Sequence, residues 1–318
     1  MPRSNSLSRL LAAGEDLAVD GALATELERH GCDLADPLWS AKVLLEQPHL
    51  IERVHREYFA AGARIAITAS YQATPQGFAQ RGIGHAAALD LVASSVHLAD
   101  AARTAHASGH AGSAALVVAG SVGPYGAYLA DGSEYRGDYR LDREAFKDFH
   151  RPRIEALVAA GADALACETL PSAAEAAALL DLVAEYGVEA WFSFTLRDGG
   201  RISDGTPLDE VAALCSAERR VAAVGVNCVP LELVTPALTA LRAATDLPLI
   251  AYPNSGEEYD AATKTWSPAP ATTSTGAELA GPADGVAEWR ALGARLIGGC
   301  CRTTPQDIAA VGAAIAGH

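Results

Sequence analysis

Three cysteines of this chain are spaced for metal chemistry. Cys228 follows Gly225-Val226-Asn227, and Cys300-Cys301 is a vicinal pair preceded by Gly298-Gly299. A borderline-soft, tetrahedral ion such as Zn²⁺ takes thiolate ligands, and three protein ligands with a fourth position open to substrate mark a catalytic site. Two adjacent cysteines reach one ion only where the backbone comes close, which the two glycines permit. Two other readings stand beside this one. Free cysteines often serve as small buried hydrophobes, the reading given to Cys32, Cys167 and Cys215. A vicinal pair can also be a redox switch, although an adjacent disulfide is strained and leaves Cys228 unexplained.

For Cys228 to meet Cys300 and Cys301, the fold must join distant segments. Short β-rich runs alternate with longer Ala/Leu-rich runs of helical period, the order of a parallel sheet covered by helices. The expected strands are Leu17–Asp20, Arg64–Ala69, Ala115–Ser121, Ala164–Glu168, Ala190–Thr195, Ala222–Asn227, Pro248–Tyr252 and Arg295–Gly299. Helices are expected over His49–Ala61, Ala86–Ala107, Arg143–Ala160, Ser172–Tyr186, Leu208–Glu218, Leu231–Ala244, Pro282–Leu292 and Pro305–Ala316. "AGA" or "LGA" before strands two, four and eight reads as a glycine helix stop and a tight turn.

Eight strand-helix pairs in 318 residues predict one (β/α)8 TIM barrel spanning 1–318, with about 1–14 as a lead-in. An open doubly wound sheet is the alternative, but no G-x-G-x-x-G or P-loop follows any strand. Long loops are expected after strand three, Gly123–Arg140, and strand seven, Pro253–Gly281. Loops of that length inside a compact domain tend to be lids or insertions.

Barrel active sites form at the C-terminal ends of the strands. Those ends carry Asp20-Gly21, Thr68, Cys167-Glu168-Thr169, Asn227-Cys228, Tyr252-Pro253-Asn254 and Gly298 to Cys301. Strands six and eight have one strand between them, so the three thiols can converge. No H-E-x-x-H or G-x-S-x-G offers a competing metalloprotease or hydrolase site.

The formal net charge is −15, which disfavours phosphate backbones and anionic membranes. Neither nucleic acid nor membrane is expected as a partner. Met1 to Leu11 has no continuous apolar core, no run reaches the roughly 18 apolar residues of a membrane span, and a cytoplasmic location is expected.

The motifs are "DGALATELE" at Asp20–Glu28, "ITASYQAT" at Ile67–Thr74, "GSVGPYGAYLADGSEYRGDY" at Gly120–Tyr139, "ACETLP" at Ala166–Pro171, "GVNC" at Gly225–Cys228, "YPNSGEEYD" at Tyr252–Asp260 and "GGCCRTTP" at Gly298–Pro305. With these, nearly the whole chain resembles the homocysteine S-methyltransferases. The loops after strands three and seven resemble the branch that uses S-methylmethionine.

The resemblance implies that Cys228, Cys300 and Cys301 ligate zinc. It also implies that Asp20, Gly21, Thr68 and Glu168, with Asn227, bind the amino and carboxylate ends of homocysteine. A turn or cap is the structural alternative for Asp20 and Thr68. The implied reaction moves a methyl group from S-methylmethionine, or from S-adenosylmethionine, to the thiol of L-homocysteine, forming methionine. No catalytic group beyond the metal site is expected, because zinc deprotonates a bound thiol. Sulfonium methyls are drawn to aromatic faces and carboxylates, which makes Tyr125, Tyr128, Tyr135, Tyr139, Tyr252, Tyr259, Glu257 and Glu258 candidates for the donor side. The alternatives are another thiol or selenol acceptor, such as selenocysteine, and a non-catalytic zinc- or thiol-sensing barrel.

Overall fold

The computed structural model describes residues 6–34, 36, 38, 40–109, 114–260, 265–268 and 281–317, with backbone alone at 257–260 and 265–268. All eight expected strands are present, each end within two residues of expectation. They are β1 (Leu17–Ala18), β2 (Ile65–Ile67), β3 (Val117–Val122), β4 (Ala164–Leu170), β5 (Ala190–Phe194), β6 (Val221–Asn227), β7 (Leu249–Tyr252) and β8 (Ala294–Ile297). The helices that follow them are α1 (Pro48–Ala60), α2 (His85–Gly109), α3 (Arg143–Ala160), α4 (Ala173–Tyr186), α5 (Leu208–Ser216), α6 (Leu231–Ala244), α7 (Pro282–Ala291) and α8 (Pro305–Ala316).

Every strand pairs in parallel with its neighbour, in the order β1-β8-β7-β6-β5-β4-β3-β2. A bridge from Val19 to Ile65 joins the two ends, supported by Arg64 N–H to Ala18 O at 2.7 Å and Asp20 N–H to Ile65 O at 3.0 Å. The sheet therefore closes into the expected barrel. Gly62, Gly161 and Gly293 each turn left-handed, φ 101°, 103° and 99°, and end α1, α3 and α7 where the sequence placed stops.

Alternate residues of each strand fill the barrel. Leu17, Val19, Ile65, Val117, Ala119, Ala164, Ala166, Trp191, Ala223, Ile250 and Leu296 form one buried cluster. The alanines leave room for the Trp191 indole, so small and large side chains complement each other across the lumen. Leu7 and Leu10, on a helix spanning Leu7–Ala12, join this cluster, and Ser6 Oγ donates to Glu189 Oε1 at 2.7 Å just before β5. The segment expected only as a lead-in thus seals the strands' N-terminal end, and polar strand ends remain at the other.

Strand-to-helix crossings carry strong local signals. Asp142 Oδ1 caps α3 by accepting from Ala145 N–H at 2.8 Å. Thr304 and Asp307 bond reciprocally at the start of α8, where Pro305 takes the first position. The expected long loop after β3 folds into a short helix, Tyr125–Leu129, and a 3-10 turn, Ser133–Tyr135. The loop after β7 includes an antiparallel hairpin, Glu257–Asp260 with Thr265–Pro268.

Candidate metal centre and active site

At the C-terminal mouth the two cysteine segments converge. Cys228, Cys300 and Cys301 place their sulfurs within 4.8 Å of one another, and Cys228 Sγ lies 3.5 Å from Cys301 Sγ. Four tetrahedral ligands at the usual zinc–sulfur bond length lie about 3.8 Å apart, so this donor set suits Zn²⁺. Cys228 is held well below the ordinary thiol range, first by S–H donation from Cys300 and Cys301 and then by Tyr135, against the cost of burial. Cys300 and Cys301 are pushed up by their interactions with Cys228 and by burial.

The backbone is forced into place to achieve this. Four described non-glycine residues have positive φ, and three of them lie here: Thr169 (59°), Cys228 (53°) and Arg302 (67°). Left-handed backbone costs an ordinary residue roughly 1–3 kcal/mol and is retained where surrounding contacts demand it. Cys228 N–H bonds Tyr252 O at 3.1 Å, Cys300 N–H bonds Pro253 O at 2.7 Å, and Ser255 N–H bonds Cys301 O at 3.1 Å. Gly298 meets β1 so closely that an added Cβ would stand 2.7 Å from Val19 O and 2.9 Å from Asp20 O. The glycine pair thus performs the role read from the sequence.

Beside the thiols lie two buried carboxylates. Glu168, 6% exposed, accepts from Ser121 Oγ on one oxygen and from Tyr252 OH at 3.1 Å on the other. Burial pushes its pKa up to about 7 despite these bonds. Asp20, 3% exposed, accepts from Ile67 N–H at 2.9 Å. Burial and the nearby charge of Glu168 raise it well above the usual carboxylate range. Two raised, adjacent carboxylates provide a strong electrostatic demand for a cation.

Thr68 Oγ1 accepts from Ser121 N–H at 3.0 Å and bonds Ser70 Oγ at 2.7 Å, which makes it part of the mouth's polar floor. Gly21 packs against Tyr58 and Thr303, and Ala22 N–H donates to Thr303 Oγ1 at 3.2 Å. Asn227 accepts from Thr169 N–H at 2.7 Å and donates to Thr169 Oγ1 at 2.8 Å. Its amide braces the strained end of β4.

A family model described as homocysteine S-methyltransferase matches residues 17–315. The chain belongs to that family. A homocysteine S-methyltransferase of Escherichia coli K12 is 57% identical across 98% of this chain and 99% of its own. Homocysteine S-methyltransferase YbgG of Bacillus subtilis 168 is 48% identical across 97% of each. The solved metallated form of the E. coli homocysteine methyltransferase MmuM superposes with a TM-score of 0.86 at 54% identity, covering 96% of this chain and 99% of that one.

Against this homocysteine S-methyltransferase background, the donor-side tyrosines separate. Tyr135 reaches the triad, its OH 3.2 Å from Cys228 Sγ. Tyr125 and Tyr128 stack on Phe149, and Tyr139 on Phe146. Tyr139 OH also donates to Glu175, so it is loop packing. Tyr252 is 1% exposed inside the barrel, where it accepts from Trp191 Nε1 at 3.1 Å, bonds Ser193 Oγ at 2.6 Å and donates to Glu168. It supports the carboxylate instead of facing a donor. The side chains of Glu257, Glu258 and Tyr259 lie outside the described residues.

Sequence reasoning missed Ser121, Ser193 and Trp191 as partners of this network. Strand parity could have found them, because Val117, Ala119 and Ser121 share a face, as do Trp191 and Ser193. Cys167 and Cys215 are fully buried and Cys32 is 8% exposed, matching the hydrophobic reading. A second cluster, Glu26, His30 and Glu57, gathers outside the barrel. Arg29, Arg53 and His30 already pair its carboxylates, and we read it as a partly buried ion network.

Proposed function

We propose that this protein transfers a methyl group from a sulfonium donor to the thiol of L-homocysteine, with Cys228, Cys300 and Cys301 holding zinc. The observation that carries this reading is the meeting of three sulfurs within 4.8 Å beside the buried pair Asp20 and Glu168. Zinc bound by these three cysteines would lower the pKa of a coordinated substrate thiol and hold it as the thiolate.

The remaining work falls to the chain itself. Glu168 and Asp20 receive the ammonium of homocysteine, which relieves their mutual repulsion and restores both to the ionised form. Ser121 and Tyr252 hold Glu168 in orientation. Backbone amides near Gly21 and Thr68 take the carboxylate end. We assign Asn227 a positioning role, exercised through Thr169. The whole chain serves as one homocysteine-binding barrel, with its site at a single rim.

With the acceptor so oriented, its sulfur attacks the methyl carbon in line. A new S–C bond forms as the sulfonium S–C bond breaks, and the electron pair returns to the donor sulfur. From S-methylmethionine the products are two methionines. An anion and a cation neutralise each other, a change favoured by the low dielectric of a barrel mouth. The thiol proton is released to solvent when the thiolate forms, so the transfer itself needs no proton acceptor on a side chain. The free thiols of the site require a reducing compartment, which supports a cytoplasmic location.

A donor panel with homocysteine fixed tests the reading, comparing S-methylmethionine, S-adenosylmethionine and betaine by methionine formation. S-methylmethionine should be the best donor. A stoichiometric zinc protein that forms no methionine from any of them would instead be a sensor.

A further inference from the structure

We propose that Glu134 is the counter-charge for the cationic methyl donor and selects a positively charged sulfur over a neutral one. The proposal rests on the methyl-transfer reading above and adds a donor-side residue to it.

Glu134 sits in the 3-10 turn Ser133–Tyr135, directly before the tyrosine that touches Cys228. Its Oε2 is removed from solvent and has no hydrogen-bond partner among the described residues. A carboxylate oxygen left so is costly, and a site keeps one when a ligand completes it. Arg136, two residues on, gives its donors to Asp138 Oδ2, Asp131 O and Ser133 Oγ. It tempers Glu134 only through space.

The turn is rigid. Glu134 O accepts from Thr195 Oγ1 at 3.0 Å, and its backbone nitrogen packs against Gly126, where an added Cβ would meet it at 2.6 Å. Tyr71 feels the charges of both Glu134 and Cys228. Tyr71 is therefore within electrostatic reach of the Glu134 carboxylate, and Tyr135, the next residue of the turn, touches Cys228, so phenol rings and a carboxylate gather near the sulfur triad, a combination suited to a methylated onium group. Asn254 Oδ1 and Ser255 Oγ, on the loop bonded to Cys301, are further buried oxygens without described partners. The loop after β7 thus adds oxygen acceptors close to the triad, which suit the ammonium group of a donor such as S-methylmethionine. Burial pushes the Glu134 carboxyl up to about 7, so an arriving cation would also restore its ionised form.

The counter-charge acts most on the donor before transfer, when its charge is whole, and least on the neutral sulfide product. Its loss should therefore appear in KM for the donor more than in kcat. In the zinc-loaded enzyme, Glu134→Gln should retain zinc and the homocysteine KM while donor KM rises roughly tenfold or more, the scale of a close charge pair in a partly desolvated site. Glu134→Asp, which keeps the charge, should recover part of the loss. A donor KM within twofold of wild type in Glu134→Gln would overturn the proposal, as would a change confined to kcat.

Calorimetry supplies an arm independent of turnover. S-methylmethionine and methionine, alike except for the charged sulfur, are titrated into zinc-loaded enzyme without homocysteine. Wild type should prefer the cation, and Glu134→Gln should lose that preference. Equal preference in both proteins overturns the role of Glu134 even if methyl transfer is observed. A preference that depends on Glu134 supports it even if transfer fails and the catalytic reading falls.

Discussion

The hydroxyl of Tyr135 lies 3.2 Å from Cys228 Sγ, tying the loop after β3 to the sulfur that closes β6. The contact spans 93 residues of sequence and fixes the turn Ser133–Tyr135 to the triad. A hydroxyl donating to a thiolate also draws charge from it. Tyr135→Phe removes the tie and keeps the ring. Metal content should be unchanged, while kcat/KM for the donor should fall by less than about tenfold, in line with one hydrogen bond. Loss of metal from this variant would make the phenol a ligand.

Replacement of the sulfurs should act differently. Cys228→Ala or Cys301→Ala leaves two thiols for an ion that needs at least three protein ligands to stay tightly bound. Metal analysis after gel filtration should show zinc lost from both variants, with methionine formation falling by roughly a thousandfold or more. The barrel should remain folded, since the lumen cluster is built from other side chains. Activity retained without zinc would refute the proposed mechanism.

The uneven legibility of the sequence has physical causes. Strand order and the meeting of Cys228 with Cys300-Cys301 could be read because periodicity, glycine stops and the barrel's strand spacing act locally or by topology. Glu168 could be read as a strand-end residue. Its support is less legible, because Tyr252 closes β7 at the border of an aromatic-bearing loop; yet it shares parity with Ile250, which faces the lumen. The reach of Tyr135 and the burial of Glu134 depend on how the long loop folds over the mouth. Composition and spacing do not encode that path.

Beneath that loop lies a buried polar network whose disruption should be costly. Arg153, 1% exposed, donates to Tyr71 O at 2.7 Å, Gly123 O at 2.5 Å and His150 Nδ1 at 2.8 Å. His150 Nε2 in turn donates to Glu175 Oε1 at 2.7 Å, and that oxygen also accepts from Tyr125 N–H at 2.6 Å. Arg153→Met keeps much of the volume but strands two carbonyls and the histidine while leaving Glu175 without its cation. Denaturant unfolding should show a loss of about 3–5 kcal/mol, the scale of breaking a buried charged network. Because the same network anchors the loop carrying Glu134, donor KM should rise with zinc content unchanged. A variant as stable as wild type would show that solvent replaces the guanidinium.

His55 provides a pH-dependent test of the core. It lies on α1, 1% exposed, and neither ring nitrogen has a partner among the described residues. Burial alone lowers its pKa to about 4, against 6.5 for the free side chain. Between those values the unfolded chain binds a proton that the folded chain refuses, so stability rises with pH across this window. The contribution is complete above pH 6.5 and is lost as pH falls toward 4, by on the order of 3 kcal/mol. His55→Leu removes the titrating group. Its unfolding free energy should therefore fall less steeply than that of wild type from pH 6.5 to 4, and parallel curves across that range would show that His55 titrates normally in the folded barrel.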